Sequence, residues 1–228
     1  MKYQTIKSAL WSVGIALLVS SCELFGLDYQ KPYDFDYDEG IPSNKVNMST
    51  WDFIKSRPDL FSLLQEAVEY VGLEDEFTQS GCTYLLPTNP AFNSETEADK
   101  SYFQLHQLSY FDEELGEEVS YAPNSMTVYP KEQVKEFLLY HIVKGLYTHT
   151  NLPAEPTWYN TCASADTAMI NMYIIKDRNP NITFNNFDGH YKSEIKPRTS
   201  NLFSSDGSYI HVIASWMDRP TREQLNIK

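Results

Sequence analysis

The residues of this chain that could do chemistry are three cysteines, five histidines and 31 acidic residues among 228. Their spacing matches no common catalytic pattern, because Gly-x-Ser-x-Gly, His-Glu-x-x-His and a glycine-rich phosphate loop are all absent from the sequence. No Cys-x-x-Cys pair and no Cys/His cluster occurs, so neither a metal site nor another cofactor is predicted. The many carboxylates leave a paired-carboxylate glycosidase open as an alternative. The inventory nevertheless favours a protein that is not an enzyme.

Cys22 is the residue whose sequence context points most specifically to one chemical reaction. Lys2 and Lys7 precede an apolar run from Ala9 to Val19, which has the length of a signal-peptide core and is too short to span a membrane. Val19-Ser20-Ser21-Cys22 then resembles the bacterial lipobox, in which the cysteine thiol accepts a diacylglycerol. The sequence therefore predicts a lipoprotein signal peptide over residues 1–21 and attachment to a membrane through acyl chains on Cys22. The alternative is an ordinary secretory signal with an incidental cysteine.

The chain is strongly acidic, with 18 basic and 31 acidic residues and a net charge of −13. Nucleic acid is a polyanion and is therefore not expected as a partner. Residues 22–46 are rich in Asp and lack hydrophobic periodicity, which predicts an acidic tether after Cys22. Its alternating acids from Asp34 to Asp38 look like a calcium loop, but Glu39 and Lys45 stand where such a loop needs Gly and a carboxylate. The segment is interpreted as a solvated linker.

Two further cysteines, Cys82 and Cys162, lie beyond the tether. An exported compartment permits a disulfide between them. Small buried free cysteines are also common. The sequence leaves both states open.

Helical patterns occupy the first part of the folded region. Ser49 and Asp52 predict a capping box that opens a short helix, and Pro58 begins a second helix that Gly72 can close. The clearest periodicity runs over residues 130–144 and places His141 on an apolar face. Between these helices, residues 93–129 are rich in acids and are interpreted as a long surface insertion with one short helix.

One strand pattern lies between the helices, and the others follow them. Short runs rich in β-branched and aromatic residues lie at 84–86, 168–176, 182–187, 194–197 and 209–214. Helices first and strands later, without βαβ alternation, predict an α+β domain over residues 47–218. The polar residues 219–228 are predicted to form a C-terminal tail.

Three segments, taken in order, resemble the signatures of fasciclin-like domains. The first is Tyr84-Leu85-Leu86-Pro87-Thr88-Asn89-Pro90-Ala91-Phe92, the second is Leu138-Leu139-Tyr140-His141-Ile142-Val143-Lys144-Gly145, and the third runs from Ser200 through Asp206 and Gly207 to His211 and Ile213. The resemblance is closest to single-domain lipoproteins of Bacteroides-type bacteria. It implies a single domain in which helices pack against a small β-sheet wedge.

The resemblance implies mainly structural roles for the motif residues. These residues are Pro87, Thr88, Asn89, Phe92, Tyr140, His141, Gly145, Gly207 and His211. Pro87 would end a strand, while Thr88 and Asn89 would bond to local backbone. His141 and His211 are interpreted as buried imidazoles. The pair Tyr140-His141 matches the one linked to integrin contact in animal relatives, a contact for which a bacterial protein has no obvious use.

The resemblance also implies a function, namely non-enzymatic adhesion or binding at the outer membrane or cell surface. The expected partner is a surface protein or a glycan. The alternative is an accessory lipoprotein of an outer-membrane glycan-uptake complex, with transporter components as partners. Aromatic rings stack on sugars, and the candidate ligand contacts are Trp158, Tyr159, Tyr121 and Tyr129.

One short motif suggests a modification. Asp166-Thr167-Ala168 resembles the acceptor pattern of protein O-glycosylation in Bacteroides-type bacteria. It lies in a segment rich in Ser, Thr and Ala, where a loop is expected. Thr167 is therefore a candidate O-glycosylation site.

Overall fold

The computed structural model describes residues 43–192 and 194–227. The predicted signal peptide, Cys22 and the tether up to residue 42 lie outside the described residues. The region Ser43–Lys228 forms one unit. Lys45 forms a bridge with Phe203, and the N–H of Val46 donates to the carbonyl of Phe203 at 3.0 Å. Residues 43–46 thus join the domain, although the sequence places them in the tether.

Five α-helices lie in the described part of the chain. They are α1 Thr50–Ser56, α2 Pro58–Val71, α3 Asn89–Phe92, α4 Tyr102–Leu105 and α5 Lys131–Tyr140, with 3-10 turns at Glu74–Thr78, Ala98–Lys100 and Met126–Val128. The hydroxyl of Ser49 accepts the N–H of Asp52 at 2.9 Å, which is the N-cap bond of the predicted capping box, but the Asp52 carboxylate accepts the Ser49 hydroxyl at 2.7 Å rather than the Ser49 N–H. Gly72 ends α2 with a left-handed φ of 69°.

Nine strands form three sheets among the described residues. The strands are β1 Cys82–Pro87, β2 Leu108–Asp112, β3 Glu117–Tyr121, β4 Ile142–Lys144, β5 Thr157–Asn160, β6 Met169–Ile175, β7 Asn181–Phe184, β8 Pro197–Phe203 and β9 Tyr209–Ile213. The largest sheet has the order β4-β1-β9-β8, with β1 and β9 parallel. Strands β5-β6-β7 form a second sheet and β2-β3 a hairpin.

The four-stranded sheet separates two apolar cores. Along β1, Tyr84 and Leu86 face the core beneath the helices, whereas Leu85 faces the core shared with the β5-β6-β7 sheet. Strand β9 alternates in the same way, with Ile210 on one side and Ile213 on the other. A strand covered on both faces needs apolar residues at successive positions, which explains the adjacent apolar residues Leu85-Leu86 in β1 and Val212-Ile213 in β9.

The structure corrects the predicted helix at residues 130–144. Helix α5 ends at Tyr140, His141 adopts φ −85° and ψ 4° as its C-cap, and the residues from Ile142 form β4. Ile142 pairs with Tyr84 of β1. A short apolar run fits both helical and strand periods, so the sequence pattern cannot place this boundary.

The structure also differs from the predicted elements elsewhere. Residues 93–129 hold the hairpin β2-β3 as well as a short helix, and the segment around Trp158 is strand β5. Strand β8 begins at Pro197, where the predicted strand ends. The predicted polar tail folds back on the domain, because Arg219 forms an ion pair with Glu136 at 2.9 Å. No helix in the described part of the chain has the length and apolar character that a membrane span requires.

Candidate functional site

A cleft of about 220 Å³ lies between α4, α5 and the chain that follows β9. We call it the aromatic cleft. Its lining residues are Tyr102, His106, Gln133, Phe137, Tyr140, Trp216, Met217, Asp218 and Arg219. Pockets for drug-sized molecules begin at roughly 300 Å³. The aromatic cleft therefore has room for a ligand of about one ring.

The floor of the cleft is a group of mutually packed rings around Tyr102. The Tyr102 ring stacks on His106 with centroids 4.1 Å apart, and it meets Phe137 at 4.8 Å and Trp216 at 5.3 Å edge to face. Tyr102 is only 3% exposed. Rings packed on several sides cannot rotate freely, so the floor has a defined shape.

Polar groups surround this floor. The Gln133 side chain donates to the Tyr102 hydroxyl at 3.2 Å. The Arg219 guanidinium lies 5.7 Å from the Tyr140 ring and pairs with Glu136. Burial alone would raise the pKa of Glu136, but the Ser164 hydroxyl and the charge of Arg219 outweigh it and lower that pKa. The ion pair therefore stays charged near neutral pH and holds Arg219 at the cleft.

One wall of the cleft is residues 216–218, which we call the cleft wall. Its backbone is bonded by buried side chains rather than by a strand. His141 Nε2 accepts the N–H of Met217 at 3.0 Å, and His190 Nε2 accepts the N–H of Asp218 at 3.0 Å. The Tyr191 hydroxyl accepts the N–H of Trp216 at 3.1 Å and donates to its carbonyl at 3.0 Å.

The carbonyl of Asp218 completes this bonding. It accepts from the Asn185 amide at 2.8 Å and shares the Tyr140 hydroxyl, which lies 3.3 Å away and also donates to the carbonyl of Met169 at 2.9 Å. Buried backbone groups must find partners, because an unpaired one costs about 1–3 kcal/mol. The pair Tyr140-His141 thus positions the cleft wall, and its two side chains act through hydrogen bonds to chain that lies far away in sequence.

His141 is a neutral imidazole in this arrangement. Its Nδ1–H donates to the carbonyl of Phe137 at 2.8 Å, which leaves Nε2 as the acceptor for Met217. The side chain is 2% exposed. Burial lowers the pKa of His141 to about 4, against an opposing contribution from the Phe137 carbonyl. A group so protected from protonation supports structure rather than proton transfer near neutral pH.

His211 has the same character on the other side of the sheet. Its Nε2–H donates to the carbonyl of Tyr147 at 3.0 Å, and its Nδ1 accepts the N–H of Asn201 at 3.3 Å. Burial lowers the pKa of His211 to about 4. Burial also lowers the pKa of His190. The side chains of all three histidines hydrogen-bond backbone groups of other segments and so connect those segments.

Thr88 and Asn89 bond to distant backbone rather than to the local backbone that the sequence predicts. The N–H and the hydroxyl of Thr88 both reach the carbonyl of Ile213, at 2.9 and 3.2 Å. The Asn89 amide accepts the N–H of Leu63 at 3.1 Å and donates to the carbonyl of Asp59 at 3.2 Å. Residues i and i+4 of a helix normally bond directly, so Asn89 bridges the turn of α2 that the non-helical Phe61 interrupts.

The remaining motif residues shape turns or fill the apolar core beneath the helices. Phe92 is fully buried, and its ring meets that of Phe137 at 5.9 Å. Pro87 ends β1. Gly207 has φ 80° in the turn before β9, and Gly145 has φ 111°, where a Cβ would meet the Tyr147 hydroxyl at 2.9 Å and its ring at 3.0 Å. Both glycines occupy backbone conformations that other residues rarely adopt.

The four predicted ligand contacts do not come together. Tyr129 is 3% exposed and donates its hydroxyl to the carbonyl of His106 at 2.6 Å, which corrects its assignment to a surface loop. Tyr121 is 42% exposed on β3. Trp158 lies against Phe187 at 5.5 Å, and the neighbouring Tyr159 packs on the Tyr147 ring at 4.4 Å. Successive residues of a strand point to opposite faces, so Trp158 and Tyr159 cannot share one ligand.

Of the residues that line the cleft, the sequence singles out only Tyr140, and its motif gives no sign of a cleft. Tyr102 lies in the segment interpreted as a surface insertion, and Arg219 lies in the predicted tail. The available signal was Trp216, a large aromatic residue only three positions after the closing strand. Its partners come from other segments, so the sequence alone could not show the cleft.

The structure places the other candidate residues as follows. Thr167 is half-buried in the turn before β6, next to Asp166, which pairs with Arg222.

Cys82 and Cys162 are free cysteines. Burial raises the pKa of both thiols, to about 11 for Cys162. Within residues 43–192 and 194–227, no group of three or more His, Cys, Asp or Glu side chains could hold a metal ion.

Comparisons with known proteins agree on one family. Residues 59–219 match the fasciclin domain. Fourteen chains of solved structures match, among them a FAS1 domain pair from the insect cell adhesion molecule fasciclin I, with a TM-score of 0.50 and 16% identity. That match covers 78% of this chain and 52% of the domain pair, so this chain spans about half of its length. No curated protein matches the chain. The predicted α+β fold is confirmed, and the chain belongs to the fasciclin domain family.

Proposed function

We propose that this chain is a non-catalytic binding module that is displayed from a membrane by a lipid on Cys22 and uses the aromatic cleft to bind a surface glycan. Fasciclin domains are associated with cell adhesion and binding and are typically non-catalytic. The observation that carries the proposal is the aromatic cleft, which is a concave site with a shaped aromatic floor and polar groups around it.

The chemistry of the cleft favours one sugar unit of a glycan. A sugar ring has apolar faces that pack on aromatic side chains and hydroxyl groups that both donate and accept hydrogen bonds. Gln133, Asp218 and Arg219 supply both kinds of polar partner. Hydrogen bonds to the backbone of Asp218, the bond of Gln133 to Tyr102 and the ion pair of Arg219 with Glu136 hold this set in place before a ligand arrives, which reduces the entropy lost on binding.

A direct test uses a glycan array with the fragment 43–228. For a glycan that binds, Gln133→Ala and Arg219→Ala should each weaken the affinity about tenfold, as expected when a hydrogen bond to a ligand is lost. Arg198→Ala is the matched control, because Arg198 is exposed and lies outside the cleft. Equal affinity of the cleft variants and the control would place the ligand elsewhere.

Display from the outer membrane or cell surface rests on the lipobox resemblance of Val19 to Cys22. Several acyl chains, at about 0.8 kcal/mol for each buried methylene, would hold the chain on a membrane. Cys22→Ala should abolish labelling by a fatty-acid probe and release the chain in soluble form. Equal labelling of the variant and the wild type would end the lipoprotein proposal.

O-glycosylation at Thr167 is a separate part of the proposal. The turn that holds Thr167 is accessible at Asp166, which is exposed. Mass analysis of the protein from its native host should show a glycan mass on the peptide that contains Thr167. An unshifted peptide would remove this modification from the proposal.

A second candidate function is an accessory lipoprotein of an outer-membrane glycan-uptake complex. The observation that favours it is the exposed apolar surface of the hairpin β2-β3, which is separate from the cleft and could contact a transporter component. Neighbouring genes for a transporter and a sugar-binding lipoprotein would support this function. An isolated gene would favour adhesion.

A further inference from the structure

The hairpin β2-β3 exposes large apolar side chains to solvent. We call residues 108–121 the acidic hairpin. Its exposed apolar residues are Tyr110 at 51%, Phe111 at 65%, Leu115 at 65% and Tyr121 at 42%. Tyr110 and Tyr121 lie on one face of the hairpin with ring centroids 6.0 Å apart, and Phe111 lies on the opposite face. Scattered exposed hydrophobics are normal on protein surfaces, but apolar side chains gathered on both faces of one protruding element mark an interaction site that a partner can enclose. Aromatic residues in particular are enriched at the centres of protein interfaces.

Unpaired negative charge surrounds these side chains. The acidic hairpin carries Asp112, Glu113, Glu114, Glu117 and Glu118, and residues 101–130 include no Lys or Arg. Asp112 is used internally, because its carboxylate accepts the N–H groups of Glu114 and Leu115. Glu118 accepts from the Ser109 hydroxyl. In the part of the chain that the structure describes, none of the ion pairs includes a carboxylate of this hairpin.

The acidic hairpin is attached to the domain at its base alone. Leu108 and Ala122 pack against the apolar core beneath the helices, whereas most of the residues between them are exposed. Its two strands form a sheet of their own. The turn is well defined, since Gly116 has φ 69° and donates its N–H to the carbonyl of Asp112 at 2.8 Å. An isolated two-stranded hairpin is marginally stable in water, so a partner that covers it would stabilise it.

We propose that the acidic hairpin is a docking surface for another protein, whose own surface carries Lys and Arg side chains around an apolar patch. Charge complementarity selects this partner, because acids at the rim attract basic residues while the aromatic side chains bury against the apolar patch. A second copy of this chain would bring like charges together on two identical hairpins. The proposal goes beyond glycan binding, since none of the hairpin residues lines the aromatic cleft.

Photo-crosslinking of the full chain in its native host tests the proposal. A photoreactive phenylalanine analogue replaces Phe111 in one variant. The matched control carries it at Leu146, which is 40% exposed and lies outside the hairpin. We expect one major adduct from position 111, with a crosslinked partner peptide rich in Lys and Arg, and no such adduct from position 146. Equal crosslinking at both positions, an adduct with a second copy of this chain, or an acidic partner peptide would overturn the proposal.

Charge reversal then separates docking from glycan binding. In the crosslinking variant, Glu113→Lys with Glu114→Lys should lower the adduct yield about tenfold, because the reversed charges repel a basic partner. Glu95→Lys with Glu155→Lys changes the net charge equally at exposed sites elsewhere and should leave the yield unchanged. Neither pair should alter glycan affinity in the cleft. An equal loss of yield with both pairs would show a general charge effect and would contradict a specific docking surface.

Discussion

The cleft wall and the acidic hairpin satisfy their polar groups in opposite ways. At the cleft wall, side chains such as His141, His190 and Asn185 hydrogen-bond the backbone of residues 216–218. In the acidic hairpin, the hydrogen bonds stay within the hairpin, and its apolar and acidic side chains face solvent. The first region depends on long-range contacts for its shape, whereas the second keeps a shape of its own and leaves its side chains open to a partner.

This difference indicates that the cleft wall contributes to stability, whereas the acidic hairpin is available for recognition. A buried polar group that loses its partner costs the folded state its full desolvation penalty. An exposed side chain loses little when it is replaced, because water already solvates it in the folded state. Substitutions in the two regions should therefore separate into effects on folding and effects on binding.

The largest expected effect comes from His141→Ala. The change leaves a cavity and an unbonded N–H on Met217, and losses of this kind reach about 2–4 kcal/mol of unfolding free energy. His141→Phe should also destabilise the domain, since it restores volume but not the hydrogen bond. Thermal melts of both variants measure this. Wild-type melting of both would show that His141 faces solvent and would reopen Tyr140-His141 as a contact site.

The next effect is the loss of stability in acid. The unfolded imidazole takes up a proton near pH 6.5, whereas burial lowers the pKa of His141 and His211 to about 4 in the folded state. The unfolded state therefore binds more protons below pH 6.5, so the stabilisation is complete above that pH and is lost as the pH falls toward 4. His190, whose pKa burial also lowers, changes in the same direction.

Urea unfolding at pH 7.0 and at pH 5.0 measures this loss. One pKa unit corresponds to about 1.4 kcal/mol, so His141 and His211 should each lower the unfolding free energy by on the order of 1–2 kcal/mol between these pH values. His141→Phe should reduce the pH-dependent part of the difference. A pH-independent unfolding free energy across this range would contradict burial of the neutral imidazoles.

The smallest expected effect is that of Phe111→Ser in the acidic hairpin. Phe111 is 65% exposed, so its replacement should change the unfolding free energy by less than about 0.5 kcal/mol. The same change should abolish docking of the proposed partner, because it removes an apolar anchor. A stability loss above about 1 kcal/mol would mean that Phe111 supports the fold and that the two regions are less different than the structure indicates.

Sequence reasoning was strongest where local chemistry decides the structure. The Ser49 N-cap bond to Asp52, Pro58 at the start of α2 and Gly72 at its end occur as predicted. These features depend on neighbouring residues only, so the sequence contains all of their partners. The start of β4 was missed because Ile142 pairs with Tyr84, a partner distant in sequence.

The candidate site residues were likewise missed where their partners are distant in sequence. Tyr129 was assigned to a surface loop, but contacts with Tyr102 and Phe103 bury it. The acidic residues around Tyr110 obscured the apolar alternation of the hairpin. The cleft could not be predicted, because its floor and its wall come from segments that only the folded chain brings together.

The family, the α+β class and the order of the three motifs can be recognised without a structure, since they follow from residue types at short spacing. Tertiary structure alone decided what the motif residues do. Asn89 bridges the interrupted turn of α2, and His141 positions the cleft wall. The physical reason is that a buried polar side chain is defined by the group that it bonds, and in this domain those groups lie far away along the chain.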